Sequence, residues 1–195
     1  MPAKAEDCNA AGNLSFMAYH KYSYDIFGQI GEAAATDYFC KLWLHGNNRF
    51  GYHYSYVAKL AGQTVAIMTC YPAKHIKKLA KPTIRQLFKI GKSSFAGHYL
   101  SHLSNFFHFS NSREFGPSEF YIATLSVLPE YRSMGLGAYL LRFARKLTAE
   151  HGCTRLSLHV NADNKDGLRF YQRNGFNKAT PYDQGMAYYR MVYTL

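Results

Sequence analysis

Apolar residues recur at helical intervals through the first 45 positions of the chain, so that residues 6–26 and 32–45 each read as a helix. The second carries Ala33, Ala34, Phe39, Leu42 and Trp43 and stops at Gly46-Asn47-Asn48. The period then changes to two. Tyr52, Tyr54 and Tyr56 alternate with Gly51, His53 and Ser55, and residues 57–60 lead through Ala61-Gly62-Gln63 into the apolar run 64–70, which predicts a hairpin. Pro72 ends it. Patterning is weaker through residues 72–118, where Ile84, Leu87 and Phe88 share one helical face and Tyr99, Leu103, Phe106 and Phe107 another. Two short helices broken near Pro82 and Gly91 are expected. From Phe120 a strand runs to Val127 and Pro129 stops it. Leu136, Tyr139, Leu140, Phe143 and Leu147 then form the stripe of a helix ending at Gly152. Leu156, Leu158 and Val160 alternate in a further strand, and a short helix through Leu168 and Tyr171 stops at Asn174-Gly175. Residues 176–195 supply two last strands around Asp183-Gln184-Gly185. The order predicts an α/β fold, a mixed central sheet flanked by helices.

With 195 residues and 48 % hydrophobic composition, the chain can bury one sizeable core, and residues 1–195 are expected to form a single domain. Its start carries Glu6 and Asp7 where a secretory signal is apolar, and no stretch approaches the roughly 18 apolar residues of a membrane span. A cytoplasmic protein without stable membrane insertion is expected. Cys8, Cys40, Cys70 and Cys153 form no CxxC pair and read as buried thiols. His98 and His102 lack the Glu of HExxH and a third ligand, so no metal site is expected.

The net charge of +11 is unevenly placed: no acidic residue lies between Asp37 and Glu114, while Lys74, Lys77, Lys78, Lys81, Arg85, Lys89 and Lys92 cluster there. Such a field attracts a phosphate-rich cofactor, a nucleic acid or an anionic membrane, and does not choose among them; a solvated helix face explains it equally well.

The chemistry concentrates in LSVLPEYRSMGLGAYLL, residues 125–141, where a strand passes through a glycine-bearing turn into an amphipathic helix. The open N–H groups from Ser133 to Ala138 stand at the positive end of a helix dipole, an arrangement that binds anions, and Gly135 and Gly137 let the backbone approach a ligand. No Lys follows either glycine, which excludes a P-loop; a GxGxxG fingerprint would need glycine at Leu140. The remaining pattern is Arg or Gln, two variable residues, Gly, any residue, then Gly or Ala, as Arg132-Ser133-Met134-Gly135-Leu136-Gly137. A helix-start turn without a ligand is the bland alternative.

On these residues the chain resembles the GNAT superfamily of N-acetyltransferases. A second block, LSLHVNADNKDGLRFYQRNGF at residues 156–176, is similar to the family's next strand and helix, with Asn164, Tyr171, Gly175 and Phe176 at the expected intervals. The close resemblance spans residues 120–176. The opening residues look like the family's first strand cut short, residues 72–118 form a helical insertion between the third and fourth strands of the family pattern, and Gly167 stands where Ala is usual.

The resemblance implies acetyl-CoA as acyl donor, with no metal. It implies that the backbone of Leu125, Ser126 and Val127 pairs with the pantetheine arm and that Arg132, Ser133, Met134, Gly135, Leu136, Gly137 and Ala138 hold the pyrophosphate. Asn164 would bond the arm, though Asn before Lys165 and Asp166 is also a good helix N-cap. Tyr171 matches the tyrosine that protonates the departing thiolate and would also touch the cofactor; a Tyr packed in the helix is the alternative. Candidates for the base that takes the amine proton are Glu119 and Tyr121, on one strand face and acting through a water, and His159 on the neighbouring strand, for which a satisfied sheet histidine is the alternative.

The expected function is N-acetyl transfer to a primary amine by direct attack on the thioester. The acceptor would be an amine-bearing small molecule, a protein or a peptide, with no nucleic acid expected and room for a homodimer. The basic insertion is expected to cover the acceptor groove. The alternatives are a catalytically silent CoA-binding regulator, and a nucleic-acid or membrane-surface module built on that insertion.

Overall fold

The computed structural model describes residues 1–91, 115–179 and 188–195. His98, His102, the second expected helix of the insertion and the turn at 183–185 lie outside the described residues.

The chain begins against the sheet. Pro2 makes an isolated antiparallel bridge to Tyr56, flanked by Ala3 N–H to the Ser55 carbonyl (3.0 Å) and Val57 N–H to the Met1 carbonyl (3.0 Å). The shortened first strand is therefore a single bridge. Helices α1 (Cys8–Tyr19) and α2 (Lys21–Phe27) replace the continuous helix expected over 6–26. The break is at His20, whose φ of 26° and ψ of −97° no helix accommodates. No Gly or Pro marks it, so tertiary packing, which turns both Tyr19 and Tyr22 toward one cleft, overrides local propensity.

After α3 (Glu32–Leu44), Tyr52–Tyr54 forms a 3₁₀ turn rather than the start of a strand, and β1 is Ser55–Leu60. Ala61 and Gly62, both with positive φ, close the hairpin to β2 (Gln63–Pro72), as two-residue hairpin turns require. Helix α4 (His75–Gly91) runs through Pro82 without the expected break. Proline removes one bond, to the carbonyl of Lys78, and Lys78 is exposed so that water can replace it.

The remaining elements are β3 (Glu119–Val127), α5 (Leu136–Glu150), β4 (Arg155–Asn161), α6 (Lys165–Arg173), β5 (Asn177–Lys178) and β6 (Tyr188–Thr194). They build a six-stranded sheet of order β1-β2-β3-β4-β6-β5. Every neighbouring pair is antiparallel except β3 with β4.

One face of the sheet packs Met68, Cys70, Phe120, Ile122, Leu156 and Leu158 against Leu140, Leu141, Ala144 and Leu147 of α5. On the other, Val57 and Ile67 meet Ala11 and Leu14 of α1 and Trp43 of α3. Beside them Ile76 and Leu79 of α4 pack with Tyr71 and Tyr121. A bulge interrupts β3: Thr69 faces Thr124 and Cys70 faces Ile122, leaving Ala123 without a partner on β2. Side chains alternate with period two, so one extra residue moves the α5-facing set from Phe120 and Ile122 to Leu125 and Val127. Cys70 and Cys153 are buried thiols as expected, whereas Cys8 and Cys40 are only half-buried.

Asp7 fastens the N-terminal segment to the hairpin. Its buried carboxylate accepts from the Thr64 hydroxyl (2.8 Å) and the Lys4 N–H (2.9 Å) and lies 2.7 Å from the Lys59 ammonium. Burial works against its ionisation, but the bonds from Lys59, Lys4 and Thr64 outweigh it and hold the carboxyl below its ordinary value. A depressed folded-state value contributes stability that is present above the unfolded value near 3.9 and lost as pH falls through the folded one. Asp7→Ala is therefore expected to lower stability at pH 7 by about 1–3 kcal/mol, roughly 2–12 °C in Tm. The gap to wild type should close at acid pH; a gap in denaturant unfolding that stays constant from pH 7 to about 3 would mean that the charge is not what Asp7 contributes.

Candidate active site

The site originates where the two parallel strands part. β3 and β4 are paired from Glu119 with Arg155 to Ile122 with Leu158, and the pairing goes no further although both strands continue. The bulged Ala123 stands at this fork. Its carbonyl accepts from the Tyr19 hydroxyl (2.8 Å), which in turn accepts from the Thr124 hydroxyl (3.2 Å). Burial pushes the Tyr19 phenol up to about 12 against the opposing Thr124 bond, so it stays a donor across the physiological range. Beyond the fork lies a cleft of ≈ 830 Å³, with Leu125, Ser126 and Val127 on one wall and Val160 and Asn161 on the other. The edge of β3 that turns toward β4 thus carries backbone groups with no strand partner among the described residues.

At one end of the cleft the turn after β3 presents its amides. Ser133 (φ 62°) and Gly135 (φ 79°) are both left-handed, and the first bond of α5 is Tyr139 N–H to the Gly135 carbonyl (2.9 Å). The N–H groups of Leu136, Gly137 and Ala138 precede that bond and have no acceptor within the helix. Alternating backbone hands with a helix N-terminus make a concavity for an anion. Arg132 closes its rim, with Nε donating to the Val127 carbonyl (3.2 Å). Arg132, Ser133, Gly135, Leu136, Gly137 and Ala138 line the cleft; Met134 does not, and is 62 % exposed.

The two glycines serve different purposes. A Cβ on Gly135 would meet nothing within 4 Å, and its constraint is the left-handed backbone. A Cβ on Gly137 would lie 2.9 Å from Cζ of Phe170, so this glycine is set by the packing of α6 on α5. Asn164 caps α6, its Oδ1 accepting from Gly167 N–H (2.8 Å), and it also lines the cleft. The glycine in place of the usual Ala has a physical reason: a Cβ at 167 would come within 2.6 Å of the Asn164 amide.

Tyr171 lines the same cleft and packs beside Phe170 and Phe176, and its hydroxyl has no hydrogen-bond partner among the described residues. Burial moves its pKa well above the ordinary value near 10, so the phenol is a standing proton donor and cannot serve as a base. At the far end, Tyr121 Oη lies 3.2 Å from Nδ1 of His159, both lining the cleft, with Phe115 edge-on to both rings.

The sequence of residues 18–176, most of the chain, matches the family model described as acetyltransferase (GNAT) family. The chain belongs to the GNAT family. A stretch of 59 residues is 39 % identical to N-alpha-acetyltransferase MAK3 of Arabidopsis thaliana, covering 30 % of this chain and 31 % of that protein, so the match spans under a third of the relative's length. A crystal structure of an acetyltransferase superposes with a TM-score of 0.72 at 26 % identity, covering 100 % of this chain and 97 % of that one. An N-acetyltransferase from Staphylococcus aureus Mu50 superposes at 0.74 and 16 % identity, covering 98 % and 97 %, a likeness of fold alone.

Within the GNAT frame, Glu119 stands apart from the other expected site residues. It is fully buried, ion-paired with Arg190 and bonded by Gly116 N–H (3.1 Å), and it does not line the cleft. Tyr19, Tyr22, Arg49, Phe50 and Tyr188 line the cleft without having been anticipated. They come from separate elements with no shared motif, and because the helix breaks at His20, helical spacing does not put Tyr19 and Tyr22 on one face. No residue of α4, the described part of the insertion, lines the cleft.

The glycine assignments can be separated by a double-mutant cycle. Gly137→Ala is expected to cost about 1–3 kcal/mol in urea unfolding through the Phe170 ring, and most of that cost should vanish in a Phe170→Leu background. Equal costs in both backgrounds would place the constraint in the helix terminus instead.

Proposed function

We propose that the protein is an acetyl-CoA dependent N-acetyltransferase in which an amine attacks the thioester directly. The observation that carries this reading is the fork after Ile122 and Leu158, which leaves a free strand edge leading to a cradle of open amides. An extended arm pairs with such an edge as an added strand does, and a pyrophosphate fits the amides of residues 133–138 with Arg132 beside them. When bound, acetyl-CoA supplies an activated acyl group. The protein's own share is alignment: β3 holds the extended arm, the turn fixes the phosphate end, and the Asn164 side chain, already a cap, offers its amide to the cleft.

Tyr171 gives its proton to the departing sulfur from Oη. Because burial raises its pKa, the phenol shares rather than surrenders that proton until negative charge develops. On the acceptor side the Tyr121–His159 pair takes the amine proton, directly or through a water, and Glu119 is left to its ion pair. Arg49 adds a cation to the cleft, and the one carboxylate among the described lining residues, Asp166, is paired with Arg169 (2.5 Å); a polyamine is disfavoured there. Together with the N-alpha-acetyltransferase relative, this favours a peptide or protein amine.

Acetyl-CoA at 100 times its Kd is expected to add about 2.7 kcal/mol, a rise in Tm of roughly 5–11 °C, and Gly135→Glu should abolish the rise. Folded protein with no rise at millimolar cofactor would remove the proposal. In single-turnover experiments Tyr171→Phe should retain that thermal shift while the chemical step slows by about 10² or more. A rate within about twofold of wild type would return Tyr171 to a packing role, and no turnover on any peptide by the wild type would leave a silent CoA binder.

A further inference from the structure

The polar face of α4 takes no part in the chemistry above. Lys74, immediately before the helix, and Lys77, Lys78, Lys81, Arg85 and Lys89 within it are all exposed, and among the described residues none is in a hydrogen bond or an ion pair. At the helical repeat they fall within an arc of about 120° and extend over about 22 Å. The opposite face is fixed in place: Ile76, Leu79, Thr83 and Leu87 are buried, and Thr83 Oγ1 accepts from Arg49 N–H at 3.1 Å. No acidic residue between Asp37 and Glu114 neutralises the row. Six like charges at this density repel one another, and a face that is merely solvated ordinarily mixes its signs.

We infer that this face is a docking surface for an anionic phospholipid bilayer. Three features select a bilayer over a nucleic acid. Lysine outnumbers arginine five to one on the face, and lysine acts as a hydrated point charge suited to a diffuse surface, without the guanidinium fork that grips phosphates or reads base edges. One whole face of the helix, with Ile76, Leu79, Thr83 and Leu87, is buried in the body of the protein, so it cannot enter a groove. Its charges point within one narrow arc, which brings all six within about one Debye length, roughly 8 Å, of a plane. Attraction would be electrostatic and peripheral, since the apolar face of α4 is committed to the core and no helix among the described residues is long and apolar enough to cross a membrane. Docking there leaves the cleft accessible, because no α4 residue lines it.

The test is co-sedimentation of the full chain with neutral phosphatidylcholine vesicles and with vesicles containing about 30 mol % phosphatidylserine. Binding is expected only to the anionic vesicles and should be lost as salt rises from about 0.1 to 1 M. Each basic residue near such a surface contributes about a fivefold factor, so replacing Lys77, Lys78 and Lys81 together by Gln should weaken partitioning roughly a hundredfold. The same three positions changed to Glu should abolish it. The acetyl-CoA thermal shift of these variants should equal that of wild type, which shows them folded and keeps this result independent of the catalytic proposal; should the Glu variant fail to fold, the Gln variant decides. Equal binding to neutral vesicles, undiminished binding by the folded Gln variant, or tighter binding to a duplex of about 20 base pairs than to the anionic vesicles at the same salt would each overturn the inference.

Discussion

The parallel pairing of β3 and β4 is only four residues long, and the rest of the molecule is arranged around its ending. A sheet that continued would satisfy its own backbone groups and leave nothing to bind. By stopping at Ile122 and Leu158, it exposes one edge of β3 inside the protein rather than at its rim, where an edge would invite association with other chains. The bulge at Ala123 makes the stop possible. It reverses which side chains face α5, so Leu125 and Val127 remain in the core while Thr124 and Ser126 turn to the opposite side. Tyr19 then fixes the bulge carbonyl from across the sheet, coupling the break in the N-terminal helices to the shape of the cleft.

Three glycines around the turn after β3 and the start of α6 illustrate how one residue type answers different constraints. Gly135 supplies a left-handed backbone in otherwise open space, Gly137 supplies room for the Phe170 ring, and Gly167 supplies room for the Asn164 cap. Only the first is a matter of backbone freedom. The other two concern neighbours brought close by the packing of α6 on α5, and in each the absent Cβ sets where a functional element sits.

Charge is divided between two faces. The cleft gathers Arg132 near an anion cradle, while the larger basic field lies on α4, away from it. A single net charge conceals this division. An anion in the cleft and an anionic surface at α4 would thus meet separate faces, and salt would screen the exposed face more than the partly enclosed one.

The sequence by itself determined the strand–turn–helix at residues 120–150, the helix at 165–173 and the hairpin closed by Ala61 and Gly62, since each is governed by local periodicity, caps and turn chemistry. It also singled out Gly135, Asn164 and Tyr171, through their turn chemistry and the family resemblance, and all three line the cleft. What it could not reveal depends on contacts between distant residues. The break at His20 has no local breaker, Pro82 lies in a helix where the residue that loses its bond, Lys78, is exposed, and Glu119 is withdrawn from the cleft by Arg190, 71 residues away. The part of the cleft lined by Tyr19, Arg49 and Tyr188 was likewise decided by tertiary structure, because it assembles from α1, a loop and β6, elements that meet only when the forked sheet folds between them.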